Sequence, residues 1–281
     1  MRQLVLAKSF AEDGYEVAIF GFDKHTGGFG SVTRVIAMED VSRGADVVIL
    51  GLPYSVDGVC LTAPLSKAEI PLRDFVSSLQ AGQLVAGGRL DDVILDLTKE
   101  KSLRLHDYYE REELSVKNSI PTAEGAISIA MQEIPITIHG STCIVLGYGR
   151  LGKILSARLR GLGAKVYCAA RKHEDFAWID AAGLISVHID DISAVLPECN
   201  VIFNTVPHTL LDRRNLLYVD PDAVIIDLAS KPGGVNFEAA KDLSLKVIWA
   251  LSLPGKVAPV TAGKIIKESI INIMKSEGIK I

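Results

Sequence analysis

Between Thr142 and Gly152 an apolar, β-type run feeds a G-x-G-x-x-G turn that opens into a helical pattern, and few folds accommodate that succession. Residues 143–146 read as a short buried strand. Beyond the turn, Leu151, Ile154, Leu155, Leu159 and Leu162 recur at helical spacing. The three glycines have separate duties: Gly147 permits the tight turn, Gly149 lets the backbone approach a pyrophosphate, and Gly152 lets helix and strand pack closely. The phosphates then rest on the helix N-terminus. Glycine spacing alone is weak evidence; the strand before it and the helix after it give it weight. Gly147, Tyr148, Gly149, Arg150, Leu151 and Gly152 are therefore read as cofactor-binding.

A chain of 281 residues is long enough for about two domains. Its 30 Lys and Arg against 34 Asp and Glu give a net charge of −4, which offers no argument for a nucleic-acid partner. Cys60, Cys143, Cys168 and Cys199 lack C-x-x-C spacing, so neither a zinc site nor a disulfide framework is indicated. They read as small buried hydrophobes in a reducing cytosol. The first residues lack the features of a signal peptide, and no run of about 18 apolar residues is present to span a membrane. A cytoplasmic protein without metal is expected.

Leu4, Leu6, Ala7, Phe10 and Ala11 share one face of a helix that Gly14 ends, and residues 16–20 follow as a strand. An α/β domain normally has a strand before such a helix, so a first strand is expected to be missing. Residues 35–38 and 46–52 read as strands, with Tyr54 and Ser55 as substrate-side candidates or ordinary residues in the turn after the second. Next come a helix over 72–79, a glycine turn at Gly87-Gly88, a strand over 93–97, and a short polar helix over 107–114. The acidic cluster of Glu110, Glu112 and Glu113 reads as a solvated face. Pro121 is placed to start a helix that Ser119 or Thr122 would cap, and Glu124 to complement its dipole.

Past the glycine turn, residues 165–170 form the next strand. An NAD-selective fold places Asp or Glu about 20 residues beyond the first glycine, to bind the ribose 2′-hydroxyl. Arg171 stands there with Lys172 beside it, and a cation suits a 2′-phosphate. NADP is therefore expected ahead of NAD; a merely exposed basic pair is the alternative. Residues 185–187, 201–204, 223–227 and 245–249 read as further strands. Asn204, Thr205, Val206 and Pro207 end one of them, on the face where a nicotinamide would extend. The final helix, over 261–274, has an apolar face of Ile265, Ile266, Ile270, Ile273 and Met274. The expected architecture is α/β, with two Rossmann-like lobes around a cleft and a doubly wound parallel sheet in the second. Its parts are a substrate lobe over 1–117, an interdomain helix over 118–135, an NAD(P)-binding domain over 136–258, and a C-terminal helix over 259–281 packing back on the first lobe.

Taken in order, the runs 118–125, 147–152, 169–171, 227–234 and 253–263 resemble those of the dipicolinate synthase A subunits of spore-forming bacteria, over essentially the whole chain. The resemblance implies a nicotinamide dehydrogenase that works with a flavoprotein-like B subunit, which could carry FMN. It would oxidise a dihydrodipicolinate from the lysine pathway to pyridine-2,6-dicarboxylate in the mother cell of a sporulating bacterium. It also implies an oligomeric assembly and a leading strand with its own glycine turn.

Aromatising a dihydropyridine dicarboxylate removes a hydride and a proton, so the protein has mainly to hold a dianion against the nicotinamide and exclude water. Cations, hydroxyls and backbone N–H groups are the expected actors. Ser119, Thr122, Ser230, Lys256 and Thr261 are the candidates for carboxylate or nicotinamide contacts, as residues of turns expected to face one cleft. His139 and His208 lie near these turns but read as structural before catalytic. A hydroxy-acid or amino-acid dehydrogenase, or a non-catalytic partner of the B subunit, are the competing functions.

Overall fold

Leu4, Leu6, Ala7 and Phe10 line the buried face of the first helix, α1 (Arg2–Glu12), as their spacing predicts. Gly14, at φ +94°, turns the chain away beyond it, in a conformation that costs glycine little. The computed structural model describes residues 1–279, which form two units: Met1–Ser115 with the chain from Pro259 on, and Val116–Ala258.

The first unit continues with β1 (Ala18–Ile19), β2 (Thr33–Arg34), α2 (Met38–Ser42), β3 (Val47–Ile49), α3 (Leu72–Ser78), β4 (Leu84–Gly87), α4 (Asp92–Thr98) and β5 (Arg104–Asp107). β1 and β2 form one small parallel sheet, and β3-β4-β5 a second. A cavity of about 770 Å³ is lined by residues of both β1 and β3. Among the described residues no strand precedes α1.

Several expectations for the chain up to the end of α5 (Glu112–Glu133) need correction. Residues 93–97, read as a strand, belong to α4, because the Asp91 carboxylate accepts from the amides of Val93 (3.1 Å) and Ile94 (3.4 Å) and caps a helix. The strand of that step is β4, buried throughout and so without alternation to betray it. Residues 35–38 are not a strand; Met38 already opens α2. The stretch over 107–114 is the end of β5, a 3-10 turn at Tyr108–Glu110, and the beginning of α5 (Glu112–Glu133). Pro121 therefore lies inside a 22-residue helix instead of starting one. In that turn the Thr122 hydroxyl donates to the Asn118 carbonyl at 2.7 Å, the local back-bonding that commonly accompanies such a site.

In the second unit the sequence reading holds strand by strand. β6 (Thr142–Leu146), α6 (Arg150–Gly161), β7 (Lys165–Ala170), α7 (His173–Ala181), β8 (Ile185–His188) and β9 (Val201–Asn204) are followed by α8 (Arg213–Leu216), β10 (Val224–Asp227), α9 (Phe237–Asp242), β11 (Lys246–Trp249) and α10 (Leu253–Val257). The strands lie parallel in the order β8-β7-β6-β9-β10-β11, the doubly wound arrangement whose direction of travel reverses between β6 and β9. Both faces are covered. Cys143 and Val145 pack with Ala123, Ala126, Ala130, Leu155 and Leu159 on one side, while Ile144 and Leu146 pack with Ile192, Leu196 and Leu211 on the other. Burying a residue such as Leu155 or Leu159 contributes about 2–3 kcal/mol of transfer free energy. Gly125 of α5 touches α10, where an added Cβ would lie 3.2–3.3 Å from Leu253 and Val257.

α11 (Pro259–Ser276) belongs to the first unit, where Ile265, Ile266, Ile270, Ile273 and Met274 share a core with Leu6, Phe10, Leu84 and Tyr108. The buried Lys267 ammonium fastens α11 to α1, donating to the Ser9 carbonyl and hydroxyl and pairing with Asp13 at 2.7 Å. Among the described residues, no helix is long and apolar enough to cross a membrane.

Candidate functional site

At the end of β6 each glycine does what its position requires. Gly147 has φ +98°, and a Cβ there would lie 2.6 Å from Thr205 Oγ1 and 2.7 Å from Val206 Cγ2. An alanine at Gly152 would drive its Cβ to 2.1 Å from the Gly147 carbonyl oxygen. Gly149, the residue preceding α6, has nothing within 4 Å of such a Cβ, so its backbone is open to a ligand. The helix N-terminus and the open glycine fit a pyrophosphate. The Lys153 ammonium lies 5.5 Å from the Tyr148 ring, whose hydroxyl is pushed up in pKa by burial.

Across the reversal point, the side chains that end β9 and β10 meet. Asn204 Nδ2 donates to Asp227 Oδ1 (2.8 Å) and to the Val206 carbonyl (3.0 Å), while its Oδ1 accepts the Val206 amide (3.2 Å). Asp227 also accepts the amides of Ala229 (3.1 Å) and Gly234 (2.9 Å). Both side chains are fully buried, so hydrogen bonding within the protein satisfies them. The pair fixes two loops at once, 205–207 and 228–234. Gly234 has to be glycine for this, since a Cβ would fall 2.1 Å from Asn204 Nδ2. The Trp249 indole donates to the Ala229 carbonyl at 3.0 Å and holds the same loop from β11.

The first unit has its own constellation at the C-terminal ends of its strands. Asp107 accepts the amides of Arg89 (3.1 Å), Leu90 (2.8 Å) and Tyr109 (2.7 Å). Arg89 adopts φ +60°, a left-handed conformation that costs a non-glycine residue about 1–2 kcal/mol. Its guanidinium sits 4.8 Å over the Tyr109 ring and donates to Tyr109 Oη at 3.2 Å. Gly88 packs against Leu52 and Tyr108, and Arg2 Nη2 donates to the Leu52 carbonyl at 2.8 Å. Tyr54 is buried with its hydroxyl on Asp91, and Ser55 Oγ donates to the Cys60 carbonyl at 2.6 Å.

Residues 1–109 match the family model for the N-terminal domain of the dipicolinate synthase A subunit, and residues 117–235 that of the D-isomer specific 2-hydroxyacid dehydrogenase NAD binding domain. The dipicolinate synthase A subunit of Bacillus subtilis (strain 168) is 30% identical over 274 residues, 97% of this chain and 92% of that protein. The chain belongs to the family of dipicolinate synthase A subunits. The crystal structure of the corresponding A subunit from Bacillus halodurans matches it at a TM-score of 0.89 and 30% identity, over 97% of this chain and 94% of that one. A transhydrogenase from Sinorhizobium meliloti shares the fold at a TM-score of 0.72 and 15% identity, over 99% of this chain and 89% of that one. Within its family this chain is a nicotinamide-dinucleotide-binding oxidoreductase.

The residues expected at the site fall unevenly in this family member. Ser119 is buried and Thr122 half-buried on α5, so neither lies in a turn. The run over 253–263 is also helical: Lys256 is exposed on α10, and Thr261 is exposed on the first turn of α11, in the first unit. Ser230 is exposed in the loop that Asp227 holds. Arg171 and Lys172 are exposed beyond β7, with Lys172 paired to Glu174 at 3.1 Å. Glu124, exposed in mid-helix, faces Arg158 at 3.8 Å instead of serving a helix terminus. His139 packs against Gly163, next to the N-terminal end of β7, whereas His208 is exposed just past Pro207. Asp227 and Arg89 escaped the sequence reading. Asp227 closes an apolar run, where a buried carboxylate is improbable without partners, and Arg89 follows two glycines that suggest only a turn.

Proposed function

We propose that this chain oxidises dihydrodipicolinate to dipicolinate, with NADP as hydride acceptor and in partnership with a B subunit, in the mother-cell cytoplasm during sporulation. The observation that carries this reading is the glycine turn at the sheet's reversal point, open at Gly149, in a chain of this family. In the reaction one ring hydrogen leaves as hydride and carries its bonding pair to the acceptor, a second ring hydrogen leaves as a proton, and the one electron pair that proton leaves behind completes the aromatic sextet. The nicotinamide supplies the hydride acceptor. The chain's residues bind and orient. Ser230 and Lys256, both exposed, are assigned to the substrate carboxylates or the carboxamide, and Thr261, Thr122 and Ser119 contribute further hydroxyls. Asn204, Thr205, Val206 and Pro207 face the cofactor, Asn204 through its backbone because its side chain is engaged with Asp227. Arg171, with Lys172, takes the 2′-phosphate. An oligomeric assembly, and FMN on the B subunit, complete the reading.

The test mixes the purified chain, with and without a B subunit, with enzymatically generated dihydrodipicolinate and NADP, and follows pyridine dicarboxylate in the ultraviolet. Product formation that disappears in Ser230→Ala, with cofactor affinity intact, supports the assignment; turnover by an isolated B subunit makes this chain a non-catalytic partner. Arg171→Ala is expected to weaken NADP about tenfold or more, as loss of a charge-assisted phosphate contact does, and to leave NAD nearly unchanged. Equal losses sink the 2′-phosphate assignment.

A further inference from the structure

Four non-glycine residues among those described have positive φ: Arg89, Ser102, Ser244 and Ser252. Ser102 and Ser244 sit in turns that enter β5 and β11, where a left-handed residue merely ends a helix. Arg89 and Ser252 instead follow β4 and β11, at the strand ends where ligands of open α/β sheets collect. Of the two, Arg89 has the charge.

Its backbone is held from two sides. The Asp107 carboxylate takes the amides of Arg89, Leu90 and Tyr109, and Gly88 permits the close approach to Leu52 and Tyr108 that leads into the turn. That carboxylate is therefore occupied by three N–H groups, and no ion pair links it to the guanidinium. The side chain is exposed, yet it is stacked on Tyr109 and tied to Tyr109 Oη. Among the described residues this is its only side-chain hydrogen bond. The remaining donors form a planar fork, preorganised by the ring beneath it and matched to a carboxylate. Strain retained in a well-held turn, together with a cation that no carboxylate among the described residues neutralises, points to a bound anion.

We propose that Arg89 is a carboxylate-binding residue of the N-terminal unit, its guanidinium taking one carboxylate of a small dicarboxylate substrate while Tyr109 holds it in place. The choice of dicarboxylate rests on the function proposed above. Pyridine-2,6-dicarboxylate, as a non-reacting probe, is titrated by calorimetry into the full chain with NADP present, for the wild type and for Arg89→Ala, Arg89→Gly and Arg89→Lys. Loss of a charge-assisted, bidentate contact predicts dissociation constants about 10–100-fold higher in the Ala and Gly variants. Lys, which keeps the charge and loses the fork, falls between. Arg89→Gly melts higher than Arg89→Ala because glycine tolerates the left-handed backbone, and it is still expected to bind as poorly; a purely structural role would make binding follow melting temperature. Wild-type affinity in both variants overturns the proposal. If the wild type ignores the pyridine probe but binds glutarate or isophthalate, and Arg89→Ala loses that binding, Arg89 stands and the dihydrodipicolinate reading falls. A wild type that binds none of the three overturns the assignment of Arg89.

Discussion

The two units put parallel strands to different use. In the C-terminal unit the strands have four to six residues and, at β9 and β10, every side chain is buried. In the N-terminal unit they have two to four, in two sheets that share no strand. Their glycines differ as well. After β6 Gly147 takes the left-handed conformation and Gly149 leaves room for a ligand. After β4 the glycines serve packing, and the left-handed residue is an arginine. A turn built for a backbone-bound phosphate can afford to be all glycine at its critical points, whereas one that presents a guanidinium has to place the strain on the residue that carries it.

The sharpest way to break this contrast is at Gly152. Gly152→Ala pushes a Cβ into the Gly147 carbonyl and is expected to destabilise the chain by about 1–3 kcal/mol and to abolish dinucleotide binding. Gly149→Ala meets open space, so its melting temperature stays near wild type and only cofactor affinity falls. Calorimetric melting beside NADP titration separates the two; an unaltered Gly152→Ala would refute the close-packing role.

The next largest effect is expected at Asp227. Asp227→Asn sets an amide donor against the Gly234 N–H or the Asn204 amide, leaving a buried donor without an acceptor at a cost of about 1–3 kcal/mol. Hydrogen exchange at Ala229 and Gly234 should rise while exchange in β4 and β5 stays as it was. Equal acceleration in both units would show that the pair is not a local fastening.

The smallest effect concerns the thiols. Burial pushes Cys143 and Cys168 up to about 11 and Cys199 up to about 12, all in the C-terminal unit, whereas Cys60 of the other unit is half-buried. A group whose folded pKa is raised stays protonated after the unfolded thiol has ionised. Stability contributed by these thiols is thus complete below about 9 and is lost as pH climbs from there towards 11–12. Urea unfolding at pH 8 and pH 10 measures the loss, and at pH 8 a thiol reagent should label Cys60 well ahead of the others.

What the sequence disclosed follows the same division. β6, β7, β9 and β10 are continuous apolar runs bounded by glycines or polar turns, so pattern and structure coincide there. β4 is also buried on both faces, but its four residues, the last of them Gly87, leave little pattern, and the apolar residues of α4 imitate a strand until Asp91 is recognised as a cap. Pro121 misled because a proline is ordinarily a boundary and here lies within a long helix. The glycine turn was legible because its geometry is written into spacing. Arg89 and Asp227 were not, because their roles arise from partners 18 to 23 residues distant that only the folded backbone brings within hydrogen-bonding reach.

The bond from the Trp249 indole to the Ala229 carbonyl has an optical consequence. The chain has two tryptophans, and the other, Trp178, is 67% exposed. Trp249 is half-buried, lies 5.2 Å from the Phe237 ring and is tied to the very loop that carries Ser230. Its emission should therefore shift when residues 228–234 move, while Trp178 reports only solvent. In a Trp178→Phe background the protein carries its own fluorophore on that loop, and its response to ligands can be followed in real time without a label.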